Sequence, residues 1–299
     1  MTRSLPSVDA RPFLKWAGGK TFAVRRMLAT LPPDWRGHYR APFVGGGALF
    51  FALHTTGRLT GASLSDANPA LIGLYTNLRD CPKAVITRLQ RHAIHHGRAG
   101  KLHWKSARRR FNVLKLRDPF DGECSALLLY LQATSFNGLY RENQLGEFNT
   151  PINAQATPAD VLSPRRLARL QAASGALQGV MLRVCGFSEA LAPARCGELV
   201  YGDPPYDVLD GHTGHVAYVA GRFGAADQVR LVDALLDVRR RGALVMASNS
   251  DTPRIRGLYR DWHRQQLWRS NSIGSRSSGR VAELLMTSWQ APALEVDGV

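Results

Sequence analysis

A chain of 299 residues, 44% of them hydrophobic, can bury a substantial core and fits either one large domain or a core carrying an inserted one. Its 39 Lys and Arg against 23 Asp and Glu give a formal charge of +16. That excess points to a polyanionic partner, nucleic acid ahead of an anionic membrane surface, because neutralising phosphates releases condensed counterions. No run approaches the roughly 18 to 20 consecutive apolar residues of a membrane span, the opening MTRSLPSVDARPF has no apolar signal core, and the four cysteines share no C-x-x-C spacing. A soluble, cytoplasmic protein with reduced thiols and no membrane partner is expected.

The first patterned segment is Phe13-Leu14-Lys15-Trp16-Ala17-Gly18-Gly19-Lys20-Thr21. Gly-Lys-Thr also closes a phosphate-binding P-loop, but that loop needs a glycine where Leu14 stands, and no convincing strand precedes it. An ATPase is therefore set aside. A helical pattern at 21–31 leads to an apolar strand at 39–44, which runs into Pro42-Phe43-Val44-Gly45-Gly46-Gly47 before another helix. Glycines here permit a tight turn and let a ligand approach main-chain N–H groups at a helix start. By itself such a turn is weak evidence, since any strand-to-helix connection can use one. A short strand at 62–64 then delivers Asp66, about twenty residues beyond the glycines, where a carboxylate can accept from both hydroxyls of a ribose. A helix cap or turn Asp is the plainer alternative.

After a helix at 70–78 the pattern changes. Residues 81–164 are helix-rich, basic and aromatic, with helices expected at 104–116 and 123–134, and strand alternation resumes only near Gly179. This predicts a catalytic core of 1–80 and 165–299 interrupted by an inserted domain at 81–164. Eight Lys or Arg and no acid fall between Arg98 and Arg117, and seven Arg against one Asp between Arg254 and Arg280; both runs are expected to face the polyanion. His92 and His96 share a helical face near His95 and His103, yet no carboxylate or cysteine completes a coordination shell. Solvated or phosphate-facing histidines, and no metal, are expected.

Strands follow at 180–184 and 198–201, a helix at 225–240, and strands at 243–247 and 281–288, the alternation of an α/β sheet with helices on its faces. The 198–201 strand runs into Asp203-Pro204-Pro205-Tyr206. Two prolines lock the chain and remove two backbone donors, so the carbonyls and the Asp present acceptors from a turn that cannot relax. That suits an exocyclic amine. Accepting its two N–H bonds at Asp203 and the Pro204 carbonyl favours a pyramidal nitrogen with its lone pair aimed at an electrophile, while Tyr206 offers a face for a planar base.

With these segments in view, the chain resembles the Dam-type (D12 class) adenine-N6-specific DNA methyltransferases. The resemblance runs through FLKWAGGK (13–20), PFVGGGALF (42–50), SDAN (65–68), FNGLYRENQLGEFNTP (136–151), YGDPPY (201–206), ASNSDT (247–252) and RSNSIGSRSSGRVAELL (269–285). It implies an α/β fold: a Rossmann-like S-adenosylmethionine-dependent methyltransferase sheet with an inserted helical target-recognition domain. Trp16 and Lys20 match cofactor-contacting positions, as do Phe43, Gly45 and Gly47 of the glycine turn, Asp66 the ribose-binding acid, and Asp203 between cofactor and target. Asp203, Pro204, Pro205 and Tyr206 match the catalytic tetrapeptide. Lys15, Phe136, Asn137, Leu139 and Arg141 match the DNA-contacting surface, with Arg141 expected to grip a purine edge unless an ion pair to Glu142 or Glu147 holds it.

The implied reaction is site-specific methylation of adenine N6 in double-stranded DNA after base flipping, with GATC as the family-based target, in a monomer that needs no metal. Whether a partner restriction endonuclease accompanies it is open. The chain departs from the family at Ala41, where an acid is common, at Phe136, where a Tyr is common, and after Pro151, where Ile152-Asn153-Ala154-Gln155 lacks an aromatic found in some members. An RNA adenine methyltransferase should lack FNGLYREN. A non-catalytic DNA-binding descendant should have lost the tetrapeptide or the glycine turn, and both are intact.

Overall fold

The computed structural model describes residues 10–207, 223–270 and 280–291. In chain order its elements are α1 (Val24–Thr30), β1 (Gly37–Ala41), α2 (Ala48–Thr55), β2 (Leu59–Asp66), α3 (Pro69–Asp80), α4 (Pro82–Arg117), α5 (Gly122–Thr134), a 3₁₀ turn (Phe136–Gly138), α6 (Pro158–Val161), α7 (Pro164–Ala176), β3 (Met181–Val184), α8 (Phe187–Leu191), β4 (Leu199–Gly202), α9 (Ala225–Arg240), β5 (Leu244–Ser250), α10 (Pro253–Leu258), β6 (His263–Ser270) and β7 (Arg280–Thr287). The chain divides into two compact units. The first is Met1–Gly19, Gly45–Gly57 and Asp66–Val184; the second is Lys20–Val44, Arg58–Ser65 and Cys185–Val299.

Six of the seven strands contribute to the second unit, in the order β2-β1-β4-β5-β7-β6. β2, β1, β4 and β5 pair in parallel, while β7 lies antiparallel between β5 and β6. Strands of a parallel sheet are covered on both faces and so read as continuous apolar runs. Leu199-Val200-Tyr201 and Val245-Met246-Ala247 are such runs, and all six residues are buried. From α9, Leu231, Val232, Leu235 and Val238 recur at helical spacing and pack with Phe187, Leu191, Val200, Val245, Leu284 and Met286. Each large apolar side chain so buried contributes roughly 1.5 to 3 kcal/mol, and Leu235→Ala would cost about 2 to 5.

β6 escapes the sequence reading because His263-Arg264-Gln265-Gln266 carries no apolar alternation. It is a sheet-edge strand, and polar or charged side chains at an edge discourage further strand pairing. The basic run from Arg254 also has internal partners, although Arg254, Arg256, Arg260 and Arg264 stay partly or largely exposed. Arg254 pairs with Asp207, Arg256 with Asp251, and Arg264 donates to the Arg256 carbonyl at 3.0 Å, so these arginines tie the second unit together. Residues 271–279 of that run, which carry much of the RSNSIGSRSSGRVAELL motif, lie outside the described residues.

In the first unit α5 is buried from Cys124 to Gln132 on every side, as a central helix hydrophobic all round should be. Around it pack α3, α4, α6 and, against α3, α7. Asn68 caps α3 by accepting from the N–H groups of Ala70 (3.1 Å) and Leu71 (3.2 Å), with Pro69 at the first helical position. The helix expected at 104–116 is the second half of a longer one. α4 breaks at Gly100, whose φ of 43° and ψ of −116° are open to glycine and costly for other residues.

Two of the four histidines are not solvated as expected, while His95 is exposed. His92 and His96 are buried; His92 Nδ1 lies 3.1 Å from His103 Nε2, and His96 Nδ1 bonds the Tyr130 hydroxyl at 2.9 Å. Among the described residues no group of three potential ligands is arranged to hold a metal ion. Nor is any described helix long and apolar enough to cross a membrane. The basic stripe on α4 divides by use. Arg108 stacks on Trp104, Arg110 lies 3.6 Å from Glu123, and Lys115 is bound by Glu142 and the Gly146 carbonyl, whereas Arg98, Lys101, Lys105, Arg109 and Arg117 are exposed.

Candidate active site

In the first unit the end of β2 meets the glycine turn. Asp66 accepts from the Gly45 N–H at Oδ2 (3.2 Å) and from the Asn68 N–H at Oδ1 (3.0 Å). Burial pushes its carboxyl up to about 6, against the opposing pull of the Asn68, Gly45 and Ala67 backbone groups. A carboxylate has about four lone-pair sites, so acceptor capacity remains for an incoming hydroxyl. Gly45 adopts φ +47°, and a Cβ there would stand 3.0 Å from Trp16 Cδ1, so the close approach of Trp16 and the left-handed backbone both require glycine. Tyr75 donates to the Gly45 carbonyl at 3.0 Å, and its hydroxyl lies where a Cβ on Gly47 would meet it. Trp16, Gly45, Gly47 and Asp66 are thus brought together, and the Gly45 N–H is occupied by Asp66.

The segment 136–151 forms the expected hairpin. Glu142 and Phe148 bridge its arms, and the Asn143 N–H donates to the Glu147 carbonyl at 2.9 Å. Buried Tyr140 and Phe148 root it on Phe111 of α4, leaving Phe136, Asn137 and Arg141 exposed and Leu139 half-buried. Asn137 turns the chain at φ 54°, a conformation Asn tolerates better than most residues. The main chain of Lys15 is clasped by Gln132, with its N–H donating to Oε1 (3.2 Å) and its carbonyl accepting from Nε2 (2.7 Å). The Lys15 side chain runs beside Gly138. Lys15, Phe136, Asn137, Leu139 and Arg141 therefore share one rim. Arg141 donates through Nε to Asn149 Oδ1 at 3.0 Å; Glu142 is held by Lys115 and Tyr140, and Glu147 by Asn143. The Trp16 ring stacks on Tyr140, with centroids 4.8 Å apart and planes at 21°.

In the second unit β4 lies between β1 and β5, where the strand order reverses, and the carboxyl ends of strands at such a switch point form a ligand crevice. Asp203 stands just past that end. Its Oδ1 is 2.8 Å from Lys20 Nζ; the Lys20 side chain is 2% exposed and that of Asp203 19%. The same ammonium lies 4.7 Å from the Tyr206 ring centroid and 3.9 Å from Glu283 Oε2, and the Tyr206 hydroxyl donates to Glu283 Oε2 at 2.8 Å. Burial raises the Asp203 carboxyl above its ordinary range; Lys20 opposes this and Glu283 adds to it. Burial, then the Asp203 and Glu283 carboxylates, holds the Tyr206 phenol well above its usual value.

The turn itself is clamped. Gln228 donates to the Pro205 carbonyl (2.9 Å) and accepts from Asn249 (3.0 Å), whose Oδ1 takes the Asp207 N–H (3.0 Å). No described residue donates to the Pro204 carbonyl. Phe43 packs on Phe187 (5.9 Å) and Phe223 (5.8 Å) as an apolar wall. Sequence reasoning missed Glu283, Gln228 and Asn249. For Glu283 a signal existed, an acid inside the apolar run Val281–Met286.

An inverted β7 between β5 and β6 is consistent with a Rossmann-like methyltransferase sheet, and outward acceptors beside an aromatic ring at the end of β4 suit one that methylates an amine. Relatives narrow this class. Residues 16–273 match the D12 class N6 adenine-specific DNA methyltransferases, and the chain belongs to that family. It is 32% identical to the type II methyltransferase M1.LlaDCHI of Lactococcus lactis subsp. cremoris over 94% of this chain and 96% of that one. It is 30% identical to a DNA adenine methylase of Haemophilus influenzae over 94% of each. It is 35% identical to the DNA N-6-adenine-methyltransferase of Escherichia phage P1, over 84% of this chain but 31% of that longer protein.

Proposed function

We propose that the protein transfers the methyl group of S-adenosylmethionine to adenine N6 at a short specific sequence in double-stranded DNA, GATC being the candidate, after flipping the adenine out of the stack. The observation that carries this is the rigid Asp203-Pro204 acceptor pair beside Tyr206. Unstacking costs a few kcal/mol, offset by stacking on Tyr206 and hydrogen bonds at Asp203 and Pro204. S-adenosylmethionine supplies a sulfonium methyl, an electrophile needing neither metal nor covalent enzyme intermediate. Asp66, with acceptor capacity left beside the Gly45 turn and Trp16, fits a ribose; by the family resemblance, and not from the placement of the two units, Lys20, Phe43, Gly47 and Asp203 are further cofactor contacts.

Bound there, the cofactor would supply the methyl group and keep the S–C bonding pair on its sulfur; Asp203 would hold the amine by one N–H, leave its lone pair free for the methyl, and take the proton the nitrogen loses before passing it to solvent. Fixed acceptors that need no reorganisation supply much of such catalysis. Residues 1–80 and 165–299 carry the chemistry in this reading, and 81–164 the recognition, with Lys15, Phe136, Asn137, Leu139 and Arg141 on DNA. A monomer in the cytoplasm suffices, with or without a companion endonuclease.

Methylation-sensitive sequencing of DNA from cells expressing the protein tests this. N6-methyladenine confined to one short motif is the expected result; methylated cytosine, or no methylated DNA with active methylation of RNA, overturns it.

A further inference from the structure

We propose that Glu283 is a positioning residue for methyl transfer: from the middle of β7 it holds the Tyr206 hydroxyl and, together with Lys20, fixes the Tyr206 ring and the Asp203 carboxylate in one geometry. This rests on the reading of Asp203 and Tyr206 given above.

Glu283 is 1% exposed and is followed by the buried residues Leu284, Leu285 and Met286. In register it stands opposite Ser250 of β5 and Leu267 of β6. A carboxylate in such a strand is costly to desolvate unless it is paired and hydrogen-bonded, and an apolar side chain would serve the sheet better. What glutamate adds is an acceptor for Tyr206, at 2.8 Å, and a second negative charge 3.9 Å from Lys20 Nζ. Tyr206 is thereby fixed at two points, its hydroxyl on Glu283 and its ring under the Lys20 ammonium at 4.7 Å. A ring so held presents one orientation to a planar base.

Lys20 in turn engages Asp203 through Oδ1 at 2.8 Å, which leaves Oδ2 as the acceptor for the amine in this reading. One ammonium between two carboxylates leaves the trio of Lys20, Asp203 and Glu283 with a net charge of −1 when all three are ionised. That charge favours the cation that develops on N6 as the methyl arrives. The groups facing Asp203 are Lys20 of the N-terminal motif, Glu283 of β7, Tyr206 of its own turn and Tyr201 of β4.

The test compares Glu283→Gln, Glu283→Ala and Tyr206→Phe in the full-length protein, measuring kcat, KM for DNA, the pH dependence of kcat and the thermal midpoint. Glu283→Gln keeps an acceptor for the hydroxyl and loses the charge. Its kcat should fall roughly tenfold with KM for DNA within about twofold, and the acid limb of its profile should move to lower pH, because one charge that raises Asp203 is gone. Glu283→Ala also loses the anchor and should fall roughly a further tenfold, so that glutamine partly rescues alanine. Tyr206→Phe removes the same hydrogen bond without touching the strand, and kcat should again fall severalfold.

A folded Glu283→Gln with unchanged kcat and acid limb overturns the proposal. Should the Glu283 variants fail to fold, an unchanged kcat in Tyr206→Phe overturns it. Wild-type protein and Asp203→Ala run alongside. If wild type makes no N6-methyladenine, the underlying function is wrong; if wild type methylates, Asp203→Ala does not, and Glu283→Gln matches wild type, only the role of Glu283 is wrong.

Discussion

In the second unit Asp203, Glu283 and Asp207 are largely buried beside Lys20 and Arg254, each within reach of a named partner. In the first, Arg98, Lys101, Lys105 and Arg109 stand exposed on α4, and exposed Arg141 is steadied by Asn149. The first set of charges is held by close neighbours and mostly withdrawn from water; the second faces water. The contrast teaches how the two tasks differ. Chemistry on one amine needs acceptors that do not move, whereas holding a polyanion needs many cations whose individual placement matters little.

The hardest blow to this contrast is Asp203→Ala. Removing the fixed acceptor should lower turnover by about a hundredfold or more while the protein still folds and binds DNA; near-normal turnover in a methylation assay would dissolve the distinction. Because burial raises Asp203, wild-type kcat should fall on the acid side at a pH above the usual carboxylate range, as protonation removes the acceptor. A pH–rate profile checks this.

Asp66→Ala probes the acid at the other end of the chemistry. Loss of charge-assisted bonds to a ribose is worth about 1.5 to 3 kcal/mol, roughly ten- to a hundredfold in cofactor affinity, with DNA binding little changed. Calorimetric titration of the methyl donor measures it. In wild type the same affinity should weaken as pH falls through about 6, where Asp66 takes up its proton.

On the exposed side, Arg141→Ala should relax preference at one base pair by about 1 to 3 kcal/mol while leaving the salt dependence nearly intact. Rates across single-base variants of the methylated site decide it; a uniform drop would make Arg141 scaffolding. The smallest effect is expected of Lys105→Ala with Arg109→Ala. Affinity should weaken alike for all sequences, and the slope of log affinity against log salt should become shallower by about one to two units. Arg110 is a poorer choice for that experiment because Glu123 lies 3.6 Å from it.

Much of the sheet could be read from sequence because parallel strands are apolar on both faces, as at Leu199-Val200-Tyr201. β6 could not, since an edge strand has no second neighbour to demand apolar side chains. Asp66, the glycine turn and the tetrapeptide announced themselves by sitting at strand ends. Glu283, Gln228 and Asn249 did not, because they are far from Asp203 in sequence and only the pairing of β5 with β7 and the packing of α9 gather them. The histidines misled for a similar reason. The break at Gly100 brings His103 onto His92, a contact that helical periodicity cannot foresee.

Trp16 belongs to two surfaces at once, its edge against Gly45 of the glycine turn and its face on Tyr140 at the root of the 136–151 hairpin. The adjacent Lys15 backbone is clasped by Gln132 next to Gly138. Under the proposed function, with the methyl donor at the glycine turn and DNA on the hairpin, this shared residue would make the two ligands linked variables. Any factor by which DNA seated there would change affinity for the donor would then be returned as the same factor in affinity for DNA once the donor is bound.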